Sequence, residues 1–337
     1  MKVLITGATG FVGSHTAKAI KVAGHQIRLL VRSESKAQTV LSNLGVEADE
    51  IIVGDVTDKD AVKRAVDGCD AVIHAAAMVA TADKYADLVW ETNVGGTKNV
   101  IGSSLDAGIK RIIFVSSVSA IFDVHADVLD ENSPVSTAQN PYGRSKIACE
   151  NYVRELQEQG APIVITYPTG VVGPDDPALS EPHFGIKMFV GQFTFTSSTG
   201  MQFVNVADVA KAHVAILERF TGADRFMLGG YYYSWEELLR IVQKVTGRKM
   251  WYVHIPGNLL RIMGKCADVV ARIVDAEFPM TAEGMSYASQ WVYADSSKAE
   301  EDLGLIFTDK EETLAQVIRW MYENDYLSAK KVGKLAH

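Results

Sequence analysis

Lys2-Val3-Leu4-Ile5-Thr6-Gly7-Ala8-Thr9-Gly10-Phe11-Val12-Gly13 decides how the rest of the chain is read. A short apolar run meets three glycines at intervals of three, and a helical pattern follows from Phe11 to Ala23. A strand that ends in glycines and turns directly into a helix points the helix's unpaired N–H groups outward. That arrangement is an anion site, suited to a cofactor pyrophosphate. Glycine meets three needs there: a tight turn, close approach of a phosphate, and packing of helix against strand. The spacing is G-x-x-G-x-x-G, which departs from the G-x-G-x-x-G fingerprint of many dinucleotide folds.

Outward from this stretch, short β-branched runs alternate with amphipathic helical patterns. Ile27–Val31, Ile51–Val53, Ala71–His74, Ile112–Val115 and Ile163–Tyr167 read as further strands. Lys59–Val66, Tyr85–Ala107 and Ser145–Gln159 read as helices between them. Such alternation predicts right-handed crossovers and an α/β, doubly wound parallel sheet covered on both faces. Residues 1–167 form the expected dinucleotide-binding domain. After Tyr167 the rhythm breaks at Pro168, Pro174, Pro177 and Pro182. Residues 201–229 read as a strand and helix returning to the first domain. Residues 168–200 and 230–329 make a smaller, mostly helical substrate-binding region, and 330–337 read as a frayed, solvated tail.

Composition excludes several classes. The net charge of −8 in 337 residues argues against nucleic-acid binding, which needs concentrated cations. Cys69, Cys149 and Cys266 show neither metal nor disulfide spacing, so no metal is expected and the thiols read as reduced. A first strand at residue 2 leaves no room for a signal peptide, and Leu259–Val274, interrupted by Arg261, Lys265, Asp268 and Arg272, is no integral membrane segment. The expectation is a cytoplasmic protein.

The Thr6-Gly-x-x-Gly-x-x-Gly13 pattern resembles the short-chain dehydrogenase/reductase superfamily, in its extended branch. The resemblance implies a Rossmann-type fold and a nicotinamide cofactor held by Thr6, Gly7, Thr9, Gly10, Phe11, Val12 and Gly13. Asp55-Val56 after the third strand matches the family's adenine contact. Ala75-Ala76-Ala77 after the fourth matches its small residues along the cofactor. Asn93, in Thr92-Asn93-Val94-Gly95-Gly96-Thr97, matches its N-x-x-G-T segment. Tyr167-Pro168-Thr169-Gly170-Val171-Val172-Gly173-Pro174 resembles the R-P-x-x-x-Y-G-P loop at the nicotinamide end, with Pro168, Thr169, Gly170 and Val171 near the cofactor. Tyr167 and Val172 replace that loop's Arg and Tyr.

The residue about 20 positions past the glycines selects the cofactor. Here Arg32 stands 19 past Gly13, with Lys36 nearby and the only adjacent acid, Glu34, two residues later. A guanidinium at a strand end pairs with a 2′-phosphate, which favours NADP(H), with NAD(H) possible. An ordinary solvated arginine is the alternative, and Glu34 swung inward would undo the preference.

Tyr142 and Lys146 form Y-x-x-x-K. Alone the pattern is common, and Tyr326 with Lys330 repeats it in the tail. Tyr142 stands out by opening a helix after the fifth strand, where i,i+4 spacing puts phenol and ammonium on one face. A phenol is a poor base at neutral pH. A cation about 4 Å away, at an effective dielectric near 20, favours its phenolate by roughly 4 kcal/mol. By the resemblance, Tyr142 exchanges the hydroxyl proton and Lys146 assists it and bonds the ribose. Ser117, in Val115-Ser116-Ser117-Val118-Ser119, orients the substrate oxygen, with Ser119 a weaker rival.

Within the branch the chain is most similar to dihydroflavonol-4-reductase and 3β-hydroxysteroid dehydrogenase-like members. These imply hydride transfer to or from the carbonyl of a small, apolar substrate, and a homodimer. Phe184, Met188, Phe189, Phe193, Phe195, Met250, Trp251, Leu259, Leu260 and Met263 are the apolar candidates for a pocket or for core. Arg225, Arg261 and Arg272 keep open a nucleotide-sugar epimerase or dehydratase, which needs cations for a diphosphate. A non-catalytic NADP-binding regulator is the third reading.

Overall fold

The computed structural model describes residues 1–192, 194–274 and 282–336. Its strands are β1 (Lys2–Thr6), β2 (Gln26–Val31), β3 (Glu50–Val53), β4 (Ala71–His74), β5 (Ile112–Val115) and β6 (Ile163–Pro168). They continue as β7 (Gly170–Val172), β8 (Phe195–Thr196), β9 (Gly200–Asn205), β10 (Asp224–Leu228), β11 (Tyr231–Ser234) and β12 (Val253–His254). Seven of them form one sheet in the order β10-β6-β5-β4-β1-β2-β3, and every pairing in it is parallel. The order reverses between β1 and β4, and at such a switch point the carboxyl ends of the strands open a crevice for a ligand.

The first helices are α1 (Phe11–Val22), α2 (Glu34–Asn43), α3 (Lys59–Val66), α4 (Ala86–Trp90), α5 (Gly96–Asp106) and α6 (Pro141–Glu158). Both sheet faces are covered. Leu4, Leu30, Val72, Ile112 and Phe114 point into a core shared with α3, α5 and α6, while Val3, Ile5, Leu29, Ile73 and Ile113 point into the opposite one. This alternation within near-continuous apolar strands is what a two-sided parallel sheet requires. The helix expected over Tyr85–Ala107 is interrupted by a π-helical turn at Glu91–Gly95. The helix expected from Ser145 starts four residues earlier, because Asn140 caps it by accepting from the Gly143 N–H and Pro141 occupies its first turn.

The later helices are α7 (Glu181–Gly191), α8 (Val206–Arg219), α9 (Trp235–Thr246), α10 (Gly257–Val274), α11 (Ala282–Gln290), α12 (Ser297–Leu303), α13 (Lys310–Glu323) and α14 (Ala329–Val332), of which α8 and α12 pack on the large sheet while α7, α9, α11, α13 and α14 share the core of a second lobe. Of residues 201–229, α8 packs on α1 and β10 joins the large sheet. β9 does not return: it lies between β7 and β11 in a separate three-stranded sheet. The expected frayed tail is also corrected. Val332 is fully buried in the second lobe's core, and Arg248 donates to the Lys331 carbonyl. An apolar side chain docked this way makes the end of the chain part of the core.

Three histidines are buried and held neutral. Burial brings His15 and His213 down to about 4 and His74 to about 3, with Lys18 reinforcing it at His15 and Lys146 at His74. An unfolded chain protonates its histidines near pH 6.5, so between that pH and about 4 it binds more protons than the folded one. Stability is therefore expected to fall as pH falls through this window, and His213→Gln should flatten the slope. Urea unfolding at pH 7 and pH 4.5 checks this, and equal stabilities would refute it.

Candidate active site

The glycine turn is wedged between β1 and the end of β4. Gly7 adopts φ +76°, and a Cβ there would lie 2.6 Å from the Ala75 carbonyl and the Ala76 nitrogen. A Cβ at Gly13 would lie 2.2 Å from the Gly7 carbonyl oxygen. Gly10 differs, being exposed, with no side chain capping α1 behind it. The first-turn N–H groups of Phe11, Val12 and Gly13 therefore open outward beside Thr9, a cradle that fits a dinucleotide pyrophosphate. Thr6 is corrected: its side chain is fully buried, 2.7 Å from His74 Nδ1, and accepts from the Ala76 N–H. It braces the loop from beneath. The Phe11 ring packs edge-on against His15 and His183, which leaves its backbone to face the cradle.

At the carboxyl ends of β2 and β3, the Arg32 side chain is 83% exposed and its Nε stands 3.9 Å from Asp55 Oδ2. Asp55 Oδ1 accepts from both the N–H and the hydroxyl of Thr57, closing a turn that leaves the other oxygen free of backbone bonds. Glu34 turns away from this corner and accepts from Gln38 one helical turn on. Lys36 is exposed in the first turn of α2, and Val56 is buried in the core. Ala75 and Ala76 are half-buried, and Ala77 is exposed.

At the other end, β5 and α6 meet. Lys146 is 4% exposed, and its ammonium donates to the Val115 carbonyl at 3.3 Å. The same nitrogen lies 5.8 Å from the Tyr142 ring centroid and 5.8 Å from that of Phe114. Among the described residues no carboxylate pairs with it. Ser117 Oγ accepts from both the N–H and the hydroxyl of Ser119, the latter at 2.8 Å. Both contacts use lone pairs, so the Ser117 O–H remains free to donate outward. Ser119 is buried and serves as its support.

Asn93 does not reach outward to a cofactor. It is buried, and its amide accepts from the Met78 N–H and donates to the Met78 carbonyl and to Ser145 Oγ. With these bonds made, it ties the loop after β4 to α6. Pro168 and Thr169 are likewise buried, Thr169 donating to the Gly229 carbonyl, while Gly170 and Val171 are half-buried in β7.

A buried network behind this site has no counterpart in the sequence reading. Tyr142, Lys146, Glu150 and Arg154 recur every four residues along α6. Glu150 is wholly buried and accepts from Ser116 Oγ at 2.7 Å, Arg154 Nε at 2.7 Å and the Tyr167 hydroxyl at 2.5 Å. Arg154 also donates to Tyr167 and to the Ser133 carbonyl. Burial, with Glu150 alongside, pushes the Tyr167 phenol well above its ordinary range. α6 thus brings the Arg154 guanidinium to the Tyr167 hydroxyl. The four-residue repeat was the available signal, but only the fold shows that β5, β6 and α6 converge there.

Of the apolar candidates, Leu260 and Phe189 are core, while Phe184, Met188, Phe195, Met250 and Met263 are half-buried. Trp251 and Leu259 are exposed. Phe193 and the Arg272 side chain lie outside the described residues. Arg225 donates from Nε to Gln157, and Arg261 donates to Ser289 and Asn258. Arg261 borders a cavity of about 460 Å³, lined also by His254, Asn258, Ser289 and Gln290.

The model of the NAD dependent epimerase/dehydratase family matches residues 3–229. A putative dihydroflavonol 4-reductase of Synechocystis sp. is 30% identical over 96% of this chain and 95% of its own length. The UDP-glucose 4-epimerase of Bacillus subtilis is 27% identical over 75% of this chain and 84% of its own. The crystal structure of gox2253 superposes with a TM-score of 0.79 at 31% identity, covering 97% of this chain and 99% of that one. The chain belongs to the NAD dependent epimerase/dehydratase family, and is an NAD(P)-dependent enzyme of the short-chain dehydrogenase/reductase type.

Proposed function

We propose that the protein is an NADP(H)-dependent reductase of a small, apolar ketone or aldehyde. The observation that carries this reading is the buried Lys146 ammonium, unneutralised by any described carboxylate, set beside the Tyr142 ring at the end of the strand that leads to Ser117. The cofactor, when bound, supplies or accepts the hydride. Tyr142 gives or takes the hydroxyl proton. Lys146 places its ammonium beside that ring and bonds the ribose of the cofactor. Ser117 directs its free O–H at the substrate oxygen, and Glu150, Ser119 and Asn93 hold these groups in place.

The reductase reading is favoured over an epimerase because the reductase relative matches nearly the whole chain, whereas the epimerase relative matches three quarters of it. A regulator without turnover has no need of an intact Ser117, Tyr142 and Lys146. NADPH oxidation against a panel of ketones, aldehydes, steroids and nucleotide sugars tests the reading. Turnover confined to nucleotide sugars would reject it.

The NADP(H) preference rests on Arg32, exposed at the end of β2 with Glu34 turned away. Arg32→Ala is expected to weaken NADPH binding about tenfold, near 1.4 kcal/mol, and to leave NADH binding unchanged. Fluorescence titration with both cofactors checks this. An unaltered ratio of affinities would show that Arg32 does not read the 2′-phosphate.

A further inference from the structure

We infer that α10 and the segment leading into it dock on an anionic lipid surface. Within α10, Leu259, Ile262, Cys266 and Val270 are all exposed, and their spacing of three, four and four puts them on one stripe. Leu260, on another side of the same helix, is fully buried. The helix therefore has an apolar face against the protein and a second one facing out. Immediately before it, Trp251 is 97% exposed, with Tyr252 and Val253 exposed beside it. Solvated apolar side chains are ordinary when scattered. Seven within twenty residues, including an aromatic pair of the kind that settles at membrane interfaces, are a surface with a partner.

Charge identifies the partner. From Leu238 to Ala267 the sequence contains Arg240, Lys244, Arg248, Lys249, Arg261 and Lys265 and not one Asp or Glu, in a chain whose net charge is −8. Lys244 pairs with Glu311 and Arg248 donates to the Lys331 carbonyl. Lys249 and Lys265 are exposed, and no described carboxylate pairs with them or with Arg261. Lys265 lies on α10 along one edge of the apolar stripe, while Arg261 turns towards α11 and donates to Ser289. An exposed apolar helix face bordered by lysine, with an exposed tryptophan and lysine in the segment that leads into it, has the composition of a helix lying in the plane of an anionic bilayer. No helix among the described residues is long and apolar enough to cross one, so the contact is with the surface.

The test is co-sedimentation of the full chain with phosphatidylcholine vesicles, with and without phosphatidylglycerol. Binding is expected to the phosphatidylglycerol vesicles, to weaken severalfold as salt rises, and to be slight on phosphatidylcholine alone. Trp251→Ser with Ile262→Ser should abolish it at low salt. Lys249→Glu with Lys265→Glu should abolish its dependence on phosphatidylglycerol. Both double variants should keep the parent's melting temperature and NADPH affinity, since these side chains are exposed. Absence of vesicle binding at low salt overturns the inference, as does equal binding by parent and variants. Self-association lost in Trp251→Ser with Ile262→Ser, without vesicle binding, would assign the face to a second copy of the chain. None of these outcomes depends on the substrate.

Discussion

Replacing Tyr142 with Phe is expected to lower kcat by roughly 10²–10⁴-fold while leaving NADPH affinity unchanged. The substitution removes one hydroxyl and keeps the ring beside Lys146, so the packing of α6 against β5 survives. What is lost is the group that we propose exchanges a proton with the substrate oxygen. Ser117 cannot replace it, because an aliphatic hydroxyl can orient that oxygen but is a far weaker acid than a phenol. Single-turnover hydride transfer, followed at the nicotinamide absorbance, separates chemistry from product release. Turnover at the parent's rate would remove Tyr142 from the mechanism. A parallel loss of NADPH binding would show instead that the substitution had disturbed the cofactor site.

Glu150→Ala is expected to destabilise the fold by about 3–5 kcal/mol, because it breaks a buried charge pair from one side only. The Arg154 guanidinium would keep its bonds to Ser133 and Tyr167 but lose its counter-charge, and the hydroxyls of Ser116 and Tyr167 would lose their acceptor. Glu150→Gln should cost less, since the amide oxygen still accepts from some of these donors. Urea unfolding of both variants gives the two numbers. A loss below about 1 kcal/mol for the alanine variant would mean that water or rearranged side chains satisfy the network. Ser116 immediately precedes Ser117, and Glu150 shares a helix face with Tyr142 and Lys146. The same variant should therefore also slow turnover.

The first six strands of the large sheet and the helix opened by the glycines are legible from residue pattern. Alternation of β-branched runs with amphipathic segments is a local property, set by which side chains must be buried on which face. The β10 edge strand is not legible in that way. It lies 56 residues past the end of β6, and β9, which looks like its equal in sequence, joins another sheet. Strand partnership depends on where the chain returns after an irregular excursion, and no local pattern encodes that.

The site divides along the same line. Residue type and spacing by themselves determined a doubly wound parallel fold, a glycine turn at Gly7–Gly13 opening α1, and Tyr142 and Lys146 on one helical face, because each rests on geometry within a few residues. Tertiary structure alone decided what each polar group has left to offer a ligand. Thr6 and Asn93 match the family's motif, yet their side chains are consumed within the protein. Ser117 keeps a free O–H because Ser119 approaches it from behind, and Glu150 becomes a buried hub because β5, β6 and α6 converge on it. A side chain's chemistry is local, but its remaining hydrogen-bonding capacity and the water it loses are set by neighbours distant in sequence.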